Sequence, residues 1–211
     1  MGGYQQYQYE MFDLDPQRPL KMITQPLFDH AEKHGFPPDF FKESYFDHVI
    51  FGEIPENTDF SFSKFYKCTF AASQISGGVF DGAAIYDSAF RCSELQMVNF
   101  TGTTIAHTHF RNSGLFSVSF QEAMLKSCSV RDCKMDRVDF RKATLDDTWF
   151  GQNKPRHILN LRSATITQGG ATQEEVDHLS LSIFKELCVS PFPIRQRPPA
   201  PRRRKPSTPE R

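Results

Sequence analysis

Apolar residues recur at every fifth position of this chain from Phe60 to Phe150 without a break. A five-residue step suits neither regular element, because it scatters side chains around an α-helix and alternates them between the two faces of a β-strand. The residues two positions before these centres are also selective, since none is larger than valine. A large and a small residue in every five predict a chain that turns a corner after each short side and points both residues into a narrow interior.

The identity of the centres sets the length of one complete coil. On one side of the predicted coil, centres twenty positions apart are all phenylalanine: Phe60, Phe80, Phe100, Phe120 and Phe140. A coil that returns every twenty residues therefore places equivalent side chains on top of one another and fills the interior in layers. Some small positions are cysteine, and these need no redox role because free cysteine packs as a small buried residue. They are Cys68, Cys128 and Cys133.

The repeat resembles that of the pentapeptide-repeat proteins, whose motif is a small residue, any residue, and then Leu or Phe as the centre. The resemblance covers residues 57–151. It implies an all-β solenoid, a right-handed quadrilateral β-helix of about 4.75 coils and about 23 Å in length at roughly 4.8 Å per coil. Such a rod needs caps, because its terminal coils otherwise expose apolar side chains and unpaired backbone groups.

The sequence outside the repeat divides into four further segments. We expect a partly disordered N-terminal extension at 1–26 and an irregular N-terminal cap at 27–56, where aromatic residues persist but the register breaks. A C-terminal cap at 152–189 contains a capping α-helix at 173–188, which begins with a capping box and continues with apolar residues at helical spacing. Residues 190–211 contain seven prolines and seven basic residues, which predicts a disordered tail.

The C-terminal cap is similar in plan to the C-terminal module of the quinolone-resistance pentapeptide-repeat proteins, which protect DNA gyrase and dimerise through it. The resemblance implies DNA gyrase as a partner and a homodimer formed through the C-terminal helix. Imitation of DNA requires a strongly acidic rod, whereas residues 57–151 carry ten basic and ten acidic side chains. The charge balance therefore makes protection of gyrase the alternative rather than the leading hypothesis.

A column of arginines is one candidate binding site. Arg91, Arg111 and Arg131 each follow a centre on the same side of the coil, so neighbouring coils bring them about 5 Å apart. Stacked like charges fit a phosphate or an acidic partner. The alternative is that Asp132, Glu94 and water neutralise the column.

The basic tail is a second candidate. The tail contains a basic run of four residues, Arg202, Arg203, Arg204 and Lys205. This run could bind nucleic acid, another polyanion or anionic lipid, or act as a nuclear localisation signal. Arg195, Pro198 and Pro201 fit a polyproline ligand of Src homology 3 domains, and Pro198, Pro201 and Arg203 fit the reverse orientation. A plain solvated tail is the alternative. These motifs also suggest a secreted bacterial effector that acts in host cells.

Nothing in the sequence matches a common catalytic or cofactor-binding motif. His30 and His34 can share a helical face, but no third metal ligand follows at matching spacing, which favours an amphipathic cap helix. His107 and His109 fall on the coil surface as ordinary exposed residues. We therefore expect no enzyme activity, no cofactor, no metal and no small-molecule substrate.

The chain has no apolar run that could cross a bilayer and no signal-peptide pattern, and its five cysteines lack paired spacing. These features predict a cytoplasmic protein with reduced thiols, in the bacterial cytosol or, for an effector, in the host cytosol. The leading hypothesis is a non-enzymatic interaction protein. Its rigid rod presents flat faces to a protein partner, and its basic tail makes a second contact.

Overall fold

The computed structural model describes residues 20–160 and 163–167, which fold into a four-sided coil of short parallel strands. The strands are two to four residues long, and we number them in chain order. The first face is an eight-stranded sheet of β1 (Lys21–Ile23), β2 (Ser44–Asp47), β4 (Lys64–Tyr66), β7 (Ala84–Tyr86), β10 (Thr104–Ala106), β13 (Met124–Lys126), β17 (Thr144–Asp146) and β21 (Thr165–Thr167).

The other faces are shorter. The second face is a six-stranded sheet of β3 (Ile50–Phe51), β5 (Thr69–Ala71), β8 (Ala89–Arg91), β11 (His109–Arg111), β14 (Ser129–Arg131) and β18 (Trp149–Gly151). The third face is a five-stranded sheet of β6 (Gln74–Ser76), β9 (Glu94–Gln96), β12 (Gly114–Phe116), β15 (Lys134–Asp136) and β19 (Lys154–Pro155). On the fourth face β16 (Val138–Asp139) pairs with β20 (Ile158–Leu159), and isolated bridges carry the ladder back to Asp59.

The strand register confirms the twenty-residue return. On the first face Ile85 pairs with Ile105, and Ile105 pairs with Leu125. Parallel pairing at this separation places each centre directly on the equivalent centre of the next coil. Every centre from Phe60 to Phe150 is consequently no more than 2% exposed.

The phenylalanines of the fourth face form a continuous column inside the rod. The ring centroids of Phe80 and Phe100 lie 4.7 Å apart, and those of Phe100 and Phe120 lie 5.1 Å apart. At the ends of the column, Phe60 lies 4.5 Å from Phe80 and Phe140 lies 5.4 Å from Phe120. The five core phenylalanines predicted from the sequence thus stack ring on ring through the predicted repeat.

The small residues before the centres bond to the backbone of the preceding coil. Thr103 Oγ1 donates to the carbonyl of Phe80 at 2.7 Å. The Cys128 thiol takes the same position, 3.3 Å from the carbonyl of Ile105. Burial raises the pKa of the Cys68 thiol to about 12 and that of Cys128 to about 11. These cysteines therefore stay protonated and act as small hydrogen-bonding fillers.

From Phe62 to Gln152, each corner is made by a residue with a left-handed backbone. The φ angle is 50° at Asp87 and at His107, and 60° at Gly82. Glycine adopts this region freely, and Asp tolerates it better than most residues. Gly82 has a second reason to lack a side chain, because a Cβ there would lie 2.8 Å from the ring of Phe62.

The coil continues on the N-terminal side of the predicted repeat. Phe46 pairs with Phe65, and Phe51 pairs with Phe70, in both cases nineteen residues apart. The break in the five-residue register therefore reflects one omitted residue in an otherwise regular coil.

Helix α1 (Gln25–His34) covers this end of the rod. Its buried Phe28 packs against Phe51, with ring centroids 5.1 Å apart and ring planes at 71°. His30 and His34 lie on the exposed side with their rings stacked 4.3 Å apart. Within the described residues, no helix has the length and apolar character needed to cross a membrane.

The coil also extends beyond Phe150. Thr144 pairs with Thr165, with one extra residue in this last turn. The predicted β-solenoid class is confirmed. The eight strands of the first face delimit about seven turns, somewhat more than the expected 4.75 coils. The unbroken five-residue run of apolar centres stops at Phe150, but strand pairing continues beyond it. Ile158 pairs with Val138, Ile166 pairs with Leu145, and both pack against the core. The helix predicted at 173–188 lies outside the described residues.

Candidate functional site

Arg91, Arg111 and Arg131 form a ladder on the second face, which we call the arginine ladder. Arg111 pairs with Arg91 on one side and with Arg131 on the other, in three adjacent parallel strands. Each arginine follows a buried centre and so points outward. Ala71 and Gly151 occupy the equivalent positions in the coils before and after. The ladder therefore spans three coils, as its sequence spacing predicts.

The first two arginines of the ladder are exposed and carry uncompensated charge. Neither Arg91 nor Arg111 forms an ion pair with any residue in the described part of the chain. Glu94, which the sequence offers as a neutralising group, forms no ion pair with either arginine, and its carboxylate accepts a hydrogen bond from the side-chain amide of Gln96. Like charges about 5 Å apart repel by about 0.8 kcal/mol in water. This face is therefore predisposed to bind an anionic group.

Arg131 is held at the C-terminal end of the ladder. Its guanidinium carbon lies 5.0 Å from the ring centroid of Trp149, and its Nε lies 4.0 Å from Oδ2 of Asp132. Trp149 is 48% exposed. It lies against Gly151, where a Cβ would come within 2.6 Å of the indole. A cation over an aromatic ring contributes about 0.5–1 kcal/mol at an exposed site, so this end of the ladder is partly preorganised.

An open cleft of about 440 Å³ lies beside the N-terminal end of the ladder, where the first face meets the second. Its lining includes Arg91, His107 and His109, and the small side chain of Ala89 leaves room between them. Asp87 also lines the cleft, so its charge is mixed. A guanidinium and two imidazoles can donate hydrogen bonds to a carboxylate that enters from solvent. The cleft therefore extends the anion-binding character of the ladder.

Sequence reasoning gave no role to Trp149 and treated His109 as an ordinary surface residue. Both occupy the outward position immediately before a centre on the second face. Read in steps of twenty, this position holds Thr69, Ala89, His109, Ser129 and Trp149. That column, next to the arginine column, is the signal that would have placed both side chains at the site.

The remaining candidate residues belong to the tail. The basic run from Arg202 to Lys205 and the polyproline residues Arg195, Pro198, Pro201 and Arg203 all lie outside the described residues. Among residues 20–160 and 163–167, no group of three or more His, Cys, Asp or Glu side chains could hold a metal ion.

No protein-family model and no curated protein matches the sequence. Among solved structures, the chain is similar to QnrB1, a plasmid-mediated fluoroquinolone resistance protein, with 17% identity and a TM-score of 0.34 over 60% of this chain and 62% of that chain. The chain thus spans less than two thirds of that structure. It is also similar to HetL, a pentapeptide-repeat protein involved in heterocyst differentiation regulation from a Nostoc cyanobacterium, with 9% identity and a TM-score of 0.31 over 62% of this chain and 68% of that chain. A pentapeptide-repeat protein of the Arabidopsis thaliana thylakoid lumen shares 14% identity and a TM-score of 0.29 over 46% of this chain and 68% of that chain.

Proposed function

We propose that this chain, which has the sequence repeat and the fold of a pentapeptide-repeat protein, is a non-enzymatic interaction module that binds an acidic segment of a protein partner. The observation that carries the proposal is the arginine ladder, in which Arg91 and Arg111 stack in register and form no ion pair with the described residues. Carboxylates placed between the guanidiniums would remove their mutual repulsion. They would also accept charge-assisted hydrogen bonds, which are about twice as strong as neutral ones.

The spacing of the ladder favours a helical partner segment. Adjacent strands place the arginines about 4.8 Å apart along the rod axis. Carboxylates at positions i and i+3 or i+4 of a helix are about 5–6 Å apart, whereas alternate side chains of an extended strand are about 6.6–6.8 Å apart. The acidic side chains of a helix aligned with the rod can therefore lie opposite all three arginines. In an extended strand, the third acidic side chain would lie roughly 4 Å beyond the third arginine.

Two features at the ends of the ladder extend the binding face. Trp149 offers exposed apolar surface beside Arg131, and Trp and Arg are the residue types most often found at the energetic centre of protein interfaces. At the other end, the cleft beside Arg91 can receive one carboxylate side chain. The partner helix in this proposal carries acidic residues along one face and an apolar residue at the end that meets Trp149.

The basic tail is the second contact in the proposal. The run from Arg202 to Lys205 would attract polyanions, and the motif around Pro198 and Pro201 would bind a polyproline-binding domain. A cytoplasmic location and a homodimer formed through the C-terminal helix belong to the same proposal. Protection of DNA gyrase is the weaker alternative, because the balanced charge of residues 57–151 does not imitate DNA.

Affinity capture with the full chain as bait tests the proposal. The ladder variant carries Arg91→Ser, Arg111→Ser and Arg131→Ser. The control variant removes the same charge from exposed positions on or beside the third face, by Lys134→Ser, Lys154→Ser and Arg156→Ser. A further bait lacks residues 190–211 and measures the contribution of the tail.

We expect acidic proteins to be captured by the wild-type and control baits and to be lost from the ladder variant. Circular dichroism of each bait checks that the coil is intact. Equal capture by the wild-type, control and ladder baits would show that the ladder is not the binding site. Loss only from the truncated bait would assign binding to the tail, and capture of nucleic acid in place of protein would change the partner class.

A further inference from the structure

Two tyrosines on the outside of the first face are shielded from solvent. Tyr45 and Tyr66 flank buried centres, and side chains next to an inward-pointing residue of a strand point outward. Tyr45 is nevertheless 3% exposed and Tyr66 is 5% exposed. Further along the same face, Met124 also flanks a centre and is 47% exposed. Some part of the protein must therefore cover the N-terminal end of this face.

The described neighbours account for the edges of this surface. Tyr45, Tyr66 and Ala84 form an outer cluster against which Leu20 and Tyr86 pack. We call these five residues the tyrosine cluster. Leu20 is the first described residue of the chain, and its side chain packs directly against the cluster.

Two polar side chains also border the cluster. The Lys67 ammonium lies 4.8 Å from the ring centroid of Tyr66, and the His48 ring meets the same tyrosine edge-on at 5.8 Å. Both of these contacts are to Tyr66. The chain that precedes Leu20 is the segment best placed to cover the rest.

We propose that residues 1–19, which lie outside the described residues, bind in cis along the first face and cover the tyrosine cluster. Nineteen residues can reach about 60 Å when extended. The distance from β2 to β7 across two strand spacings is only about 10 Å. The segment also has suitable side chains, since Tyr4, Tyr7, Tyr9 and Phe12 can pack against tyrosine rings.

Charge complementarity supports the same occupant. Residues 1–19 contain three acidic side chains and one basic side chain. Lys64 precedes the centre of β4, and Lys67 forms the corner that follows β4, beside the cluster. Asp47 and Asp87 are the nearby acidic groups. The acidic side chains of this segment can pair with Lys64 and Lys67 while its aromatic side chains pack against the tyrosine rings of the cluster. This inference does not depend on the proposed function, because it concerns a different face of the rod.

Site-specific photocrosslinking in the full chain tests the proposal. The probe is p-benzoylphenylalanine at Tyr9 or at Phe12, in two separate proteins. After irradiation of the purified full chain, we expect crosslinks within one chain to peptides that contain Tyr66 or Tyr86. Charge reversal by Lys64→Glu together with Lys67→Glu should lower the crosslink yield at least threefold.

A matched variant on another face controls for total charge. Lys134→Glu together with Lys154→Glu makes the same charge change on the third face and should leave the yield unchanged. Crosslinks between two chains would show that a second copy is the occupant and would overturn binding in cis. Crosslinks spread over all four faces, or none to the first face, would also overturn the proposal.

Discussion

Phe100→Ala should be among the most destabilising substitutions in the rod. The ring is 0% exposed and stacks between Phe80 at 4.7 Å and Phe120 at 5.1 Å. It also meets Phe90 edge-on at 6.1 Å and Phe110 edge-on at 6.3 Å. Truncation of a buried phenylalanine to alanine costs about 3–5 kcal/mol, and the larger values occur where the site cannot collapse.

The backbone makes collapse difficult at this site. The Phe100 amide donates to the Ser119 carbonyl at 2.8 Å, and the Phe80 amide donates to the Asn99 carbonyl at 2.7 Å. These bonds fix the spacing between the coil that contains Phe100 and the coils on either side of it. We therefore expect a loss of about 4–5 kcal/mol in the free energy of unfolding, measured by urea denaturation with far-ultraviolet circular dichroism.

Phe116→Ala is the matched control. Phe116 follows a centre, is partly exposed, and rests against Gly114 rather than in the interior. Its truncation should cost less than about 1 kcal/mol, as for most surface substitutions. Equal unfolding midpoints for Phe100→Ala and Phe116→Ala, with similar m-values, would refute the inward and outward assignment of the whole repeat.

Three further predictions concern thiols, corners and gyrase. In a Cys188→Ser background, iodoacetamide at pH 8 should modify the exposed Cys92. It should leave Cys68, Cys128 and Cys133 intact, because burial raises the pKa of these three thiols. More than one adduct per chain by mass spectrometry would contradict this prediction. Gly82→Ala should lower the melting temperature more than Gly102→Ala. Both glycines have a positive φ, but a Cβ at Gly82 would lie 2.8 Å from an aromatic ring, whereas a Cβ at Gly102 would meet nothing closer than 3.7 Å. A larger decrease for Gly102→Ala would be inconsistent with the corner geometry. In a supercoiling assay, the protein should not relieve fluoroquinolone inhibition of DNA gyrase, because its repeat lacks net negative charge; rescue at sub-stoichiometric amounts would favour the gyrase hypothesis.

The interior of the rod was predictable because each side contributes one large and one small inward residue. The same register fixes which residues point outward, so the positions of Arg91, Arg111 and Arg131 follow from their spacing alone. The contacts between a column of outward residues and the neighbouring column do not follow so directly from the register. Trp149 lies two coils beyond His109 in the neighbouring column, and its contact with Arg131 depends on the space left by Gly151.

The ends of the coil were less predictable, because a count of apolar centres does not detect backbone pairing. At the N-terminus, one omitted residue between Phe46 and Phe65 breaks the period while the strands stay paired. At the C-terminus, one extra residue shifts the register, so that Ile166 rather than residue 165 pairs with the centre Leu145 and packs against the core. Burial of Tyr45 was also hidden from the sequence, because it arises from contacts on the outside of the coil.

The most direct test of the proposed function is the affinity of the full chain for a designed acidic helix. One labelled peptide carries glutamates at i, i+4 and i+7, and a second has the same composition with its glutamates spread around the helix. Exposed ion pairs contribute about 0.2–1 kcal/mol each, so three aligned pairs should give about tenfold tighter binding. Fluorescence anisotropy should show this preference with the wild-type and with the third-face control variant, and should show none with the ladder variant. Equal affinity for both peptides, or a preference that survives Arg91→Ser, Arg111→Ser and Arg131→Ser, would contradict the account.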